Sequence, residues 1–114
     1  MKETCSILGS ILAIYDAFYD ISMPHANKNI VDEFLPTFSQ NPMEQLSKIV
    51  VRLAPHIAKV KRQKPGLAIS LEKELHQLYT SLELVDTNGL TEVEKSWLII
   101  SFNKQKAKRF EKHA

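Results

Sequence analysis

The sequence predicts an all-α fold: an antiparallel four-helix bundle with a short extra helical turn between its first two main helices. Three observations carry this prediction. Large apolar residues recur at alternating steps of four and three, as in Ile7, Ile11, Ile14, Phe18 and Ile21, which places each set on one side of a helix. Helix-start signals stand in front of two of these runs. The composition, with 44% hydrophobic residues, 25% charged residues and only three glycines in 114, is that of a globular chain rich in helix formers. That length suits one domain, here residues 1–114 with a basic extension of the last helix at about 103–114.

The first helix is expected from about Glu3 to Ser22. Leu8, Leu12, Tyr15 and Tyr19 lie beside its Ile/Phe stripe and widen the apolar face enough for two neighbours. Pro24 ends it. A short element follows over about 28–34, and Pro36 is expected to end or bend it near Leu35. Asn41-Pro42-Met43-Glu44 then combines a capping Asn, a proline at the first helical position and an acid where a capping-box partner belongs. The helix it opens carries Leu46, Ile49, Leu53, Ile57 and Val60 on one stripe and is expected to reach about Lys64, kinked at Pro55.

Pro65-Gly66 reads as a turn. The next helix is expected from about Ser70 to Leu84, with Leu71, Leu75, Leu78 and Leu82 on its inner face. Asn88-Gly89 signals another turn. Thr91 and Glu94 form a second capping box, opening a helix with Val93, Trp97, Ile100, Ala107 and Phe110 at helical spacing. Met23, Phe34, Phe38 and Trp97 are expected in the core. Short connections predict antiparallel packing of sequential neighbours.

The net charge of +2 is too small to imply a nucleic-acid partner, but it is unevenly spread. Residues 1–54 carry four basic and six acidic side chains, whereas residues 55–114 carry eleven and seven. Two basic clusters stand out, Lys59, Lys61, Arg62 and Lys64, then Lys104, Lys106, Lys108, Arg109 and Lys112. In an alternating bundle these lie at opposite ends, so one continuous nucleic-acid face is not expected. The single Cys5 has no internal disulfide partner and fits a reducing compartment. No signal-peptide pattern and no run of about 18 apolar residues is present, so the expected address is the cytoplasm.

No nucleophile motif, phosphate-cradling glycine loop or zinc pattern occurs, and the chain is read as a non-enzyme without cofactor or metal. Glu72 and His76 are four apart on one helix face, but two ligands do not make a zinc site. Asp16 and Asp20, one turn apart, form a carboxylate pair without a supporting constellation. The strongest polar feature is the basic tail. Lys104, Lys106, Lys108, Arg109 and Phe110 are the expected partner-binding surface, electrostatic with one apolar anchor.

The stretch Leu75-His76-Gln77-Leu78-Tyr79-Thr80-Ser81-Leu82, a short loop, and Leu90-Thr91-Glu92-Val93-Glu94-Lys95 resembles the third helix and fourth-helix entry of the pediocin-like (class IIa) bacteriocin immunity proteins. That resemblance implies a cytosolic four-helix bundle that protects a producer cell without destroying the antimicrobial peptide. The implied partner is the toxin-engaged mannose phosphotransferase permease at the inner membrane face, with an anionic membrane surface nearby. The alternative reading is a small nucleic-acid-binding or regulatory helical protein. It is disfavoured because Glu92, Glu94 and the apolar Trp97–Ile100 stretch make a poor groove-reading helix.

Overall fold

A computed structural model describes residues 2–25, 30–38, 40–82 and 91–113; the side chains of residues 2, 30, 32 and 109–113 lie outside that description. The described residues form five helices and no strand: α1 (Lys2–Ser22), α2 (Ile30–Phe38), α3 (Pro42–Gln63), α4 (Pro65–Ser81) and α5 (Glu92–His113). The fold is therefore all-α. The turn expected at Asn88-Gly89 lies outside the described residues.

The capping chemistry explains two of the boundaries. Glu94 N–H donates to Thr91 Oγ1 at 3.2 Å, and Thr91 N–H donates back to the Glu94 carboxylate at 2.9 Å. Both partners of the box are thus satisfied at the start of α5. At α3, Glu44 N–H donates to Asn41 Oδ1 at 3.3 Å, while the Asn41 side-chain amide donates to the Glu44 carboxylate at 2.9 Å. The reciprocal bond there joins two side chains instead of reaching the backbone.

Two proline readings need correction. Of the two outcomes expected at Pro36, an end or a bend, the end does not occur: α2 runs on to Phe38. Val31 and Phe38, seven residues apart, are both buried on the inner face, and Pro36 is exposed on the outer one. Phe38, buried in one cluster with Leu46, Ile49 and Leu53 of α3, and Leu35 packed against that cluster hold the last turn despite the missing donor. Pro65 does not make a turn either. It sits in the first turn of α4, where its missing N–H costs nothing, so the helix begins five residues earlier than expected. Only Lys64 separates α3 from α4. Its N–H donates to Val60 O at 2.7 Å, closing α3, and its carbonyl accepts from Ala68 N–H at 3.0 Å, opening α4.

The core is built around α1. Leu8, Ile11, Leu12, Ile14 and Phe18 are fully buried, and each such side chain contributes about 1.5–3 kcal/mol relative to exposure. Ile14 and Phe18 pack with Val60, Ala68 and Leu71 of the α3–α4 hairpin. Cys5, Leu8, Ile11 and Leu12 belong to a second cluster with Leu98 and Phe102 of α5 and with Val31, Phe38, Leu46, Ile49 and Leu53. Phe34 and Trp97 are half-buried at its edge, and Met23, expected inside, is exposed. By length and composition α1 is apolar enough to cross a membrane, but most of that stretch is buried inside the fold.

Among the described residues α5 packs on α1 alone. A Cβ built on Gly9 would lie 2.5 Å from the Leu98 carbonyl oxygen and 2.8 Å from Ser101 Cβ, so the two backbones approach as closely as glycine allows. Ser101 Oγ donates to Ser6 O at 2.7 Å beside this crossing, and further along both helices Lys106 reaches Asp16 at 3.5 Å. Contacts advance in the same direction along both chains, so α1 and α5 run parallel. Sequence periodicity defines faces and not directions, and the antiparallel expectation fails at this pair.

Candidate functional site

The expected surface residues meet different fates. Lys104 and Lys108 are exposed on α5. Lys106 is turned inward: its ammonium pairs with Asp16, which is 1% exposed, and lies 5.8 Å from the Phe102 ring centre. A carboxylate buried in an apolar helix face needs such a partner, and the cation fastens α5 to α1. The side chains of Arg109 and Phe110 lie outside the described residues. Asp16 is buried and paired with Lys106, whereas Asp20 is exposed, so the two carboxylates stand in different surroundings.

The first basic cluster divides in the same way. Lys59 donates to the Ser22 carbonyl at 2.7 Å, satisfying one of the orphan acceptors at the end of α1. Lys61 reaches Glu72 on α4 at 2.8 Å, which turns the carboxylate of the Glu72/His76 pair into an ion-pair partner. Arg62 and Lys64 remain exposed at the α3–α4 joint. Both basic segments therefore attach to the last third of α1, through Ser22 and Asp16. The expectation that they lie at opposite ends is corrected: it assumed that the helices carrying the two clusters run oppositely, whereas both clusters reach the same end of α1.

Around Ser22 the contacts are polar. Its hydroxyl is 2.9 Å from His56 Nδ1, and the His56 ring meets Tyr19 edge to face at 4.9 Å. Partial burial, then the cations Lys59 and Arg52, hold the His56 pKa below its ordinary value. Between α1 and α4 the Tyr15 and Tyr79 hydroxyls are 2.8 Å apart. Burial raises both phenol pKa values, and Tyr15 is raised further by its bond to Tyr79. An open depression beside them is lined by Phe18, Ile57, Leu75 and His76. Cys5 is buried, and desolvation, then the negative charge of Glu94, push its thiol pKa up, which disfavours a reactive thiolate there. Among the described residues no three His, Cys, Asp or Glu side chains come together to hold a metal.

What the structure brings forward is thus a pair of basic segments with partnered and outer members. The partnered cations link helices: Lys59 and Lys106, both half-buried, reach α1, and Lys61, itself exposed, reaches α4. The outer ones, Arg62, Lys64, Lys104 and Lys108, face solvent. The hint for the partnered group was an acid within an apolar stripe: Asp16 between Ile14 and Phe18 calls for a cation from another helix.

The profile of the CRISPR-associated protein (Cas_Csd1) family matches residues 2–110. The chain belongs to that family. No curated protein matches the chain. Membership overturns the bacteriocin-immunity reading and, with it, protection from an antimicrobial peptide, the mannose permease partner and the membrane-face role. That resemblance rested on a capping box and a leucine stripe, features that many helical proteins share because the same backbone groups need capping and the same faces need burying.

Proposed function

We propose that this chain is a helical binding component of a CRISPR-associated assembly and that its outer cations meet nucleic-acid backbone. The earlier exclusion of nucleic acid relied on basic clusters at opposite ends and on the absence of a groove-reading helix. In RNA-guided systems base pairing reads sequence, and protein surfaces can serve by holding backbone phosphates. A groove-reading helix is then unnecessary. The observation that carries the proposal is the division of the basic segments: Arg62, Lys64, Lys104 and Lys108 are exposed, whereas Lys59, Lys61 and Lys106 each reach an oxygen on another helix. In this reading the chain acts by binding and without catalysis, in the cytoplasm. The four long helices α1, α3, α4 and α5 serve as one bundle, with α2 as a cover over α3.

The test is fluorescence anisotropy with RNA and DNA oligonucleotides of unrelated sequence, titrated with salt. Binding is expected at low salt, to weaken steeply as salt rises, and to be insensitive to sequence. Arg62→Glu with Lys64→Glu is expected to weaken it and flatten the salt slope, with helicity by circular dichroism unchanged. Absence of binding at low salt by the folded protein sinks the proposal.

A further inference from the structure

The outward face of α5 carries a second apolar seam. Leu98 and Phe102 are buried against α1. Val93, Trp97, Ile100, Lys104 and Ala107 follow one another at steps of four, three, four and three, the heptad spacing of a helix that packs against another helix. Val93 is 58% and Ile100 61% exposed, and Trp97 is half-buried between them. A cleft lined by Ser6, Ser10, Trp97, Ser101, Lys104 and Gln105 opens beside Ile100. Since α5 packs only on α1 among the described residues, no other described helix covers this seam.

Charge selects the occupant. Glu92 is exposed at the N-terminal end of the seam, and Lys104 is exposed toward the other end. A parallel second copy would place like charges side by side. An antiparallel copy, centred between Trp97 and Ile100, sets Trp97 against Ile100 of the second copy. It lays the Lys104 stem over the other Val93 and brings the Lys104 ammonium beside the other Glu92, twice by symmetry.

We infer that the protein forms a two-fold dimer by antiparallel pairing of α5 along Val93, Trp97, Ile100 and Lys104. Ile100 fills the cleft beside Ile100 of the second copy, and the two Glu92–Lys104 pairs fix the direction. This pairing goes beyond the nucleic-acid reading and does not depend on it; in the dimer Lys104 serves the seam, and Arg62, Lys64 and Lys108 remain for nucleic-acid backbone.

The test is light scattering coupled to size-exclusion chromatography, over a range of concentrations and without nucleic acid. The expected mass rises toward twice the 13.0 kDa of one chain. Ile100→Glu is expected to abolish the dimer. Glu92→Lys and Lys104→Glu, each alone, are expected to weaken it about tenfold, the size of two exposed ion pairs reversed together. The double exchange Glu92→Lys/Lys104→Glu is expected to restore it. Should Ile100→Glu lose helicity, the charge-exchange set decides. A monomer at every concentration overturns the inference, as does a double exchange no stronger than the single variants. A monomer whose Trp97 fluorescence responds only to an added oligonucleotide also overturns it and assigns the seam to nucleic acid.

Discussion

The two flanks of α1 are packed by opposite means. Toward α3 and α4, Ile14 and Phe18 interdigitate with Val60, Ala68 and Leu71, and volume supplies the stability. Toward α5, Gly9 brings the backbones together, with Ser101 bonded to Ser6 O, and closeness supplies it. One flank should suffer most from lost atoms and the other from added ones. The α5 flank also buries Leu98 and Phe102, but at Gly9 it has room only for a backbone.

The largest effect expected of breaking this contrast is on the first flank. Phe18→Ala removes a fully buried ring and is expected to cost about 3–5 kcal/mol, read as a fall in the denaturant midpoint. Gly9→Ala adds a single carbon that must displace α5 backbone, and about 1–3 kcal/mol is expected. The sole tryptophan, Trp97, sits on α5, so its emission should shift in Gly9→Ala and stay near that of the parent in Phe18→Ala. Equal emission changes in both variants would erase the distinction. The smallest effect is a pH dependence at the end of α1. His56 has a lowered pKa when folded, so its contribution is fully present above the unfolded value of 6.5 and declines as pH falls from there toward the folded value. His56→Gln is expected to flatten that part of the stability profile, measured by urea unfolding between pH 5 and pH 8 (roughly the range in which histidine titrates).

Much of the helical content was legible in residue spacing and caps. The start of α5 at Thr91 and the start of α3 after Asn41 follow from side chains that satisfy backbone donors within a few residues, which is local chemistry. Pro36 and Pro65 were misread because the same residue breaks a helix in one position and opens it in another. Only the burial of Phe38 and the bond from Ala68 N–H to Lys64 O distinguish the cases. The parallel course of α1 and α5 has no signature in periodicity at all. It rests on Gly9, Ser6 and Ser101 meeting across 92 or more residues of chain. For the candidate site, the basic residues were visible as a group, but the sorting of Lys106 inward and Lys104 outward needed the position of Asp16. The family lay beyond local chemistry because capping boxes and leucine stripes serve many functions alike.

Lys64 has a further consequence. As the only residue between α3 and α4, it couples the two helices in phase, like a keyed shaft. Inserting or deleting one residue there turns everything downstream by about 100° around the helix axis. Ala68 and Leu71 would then rotate off Ile14 and Phe18, so this joint should reject insertions and deletions of any length that does not bring the same face back into register.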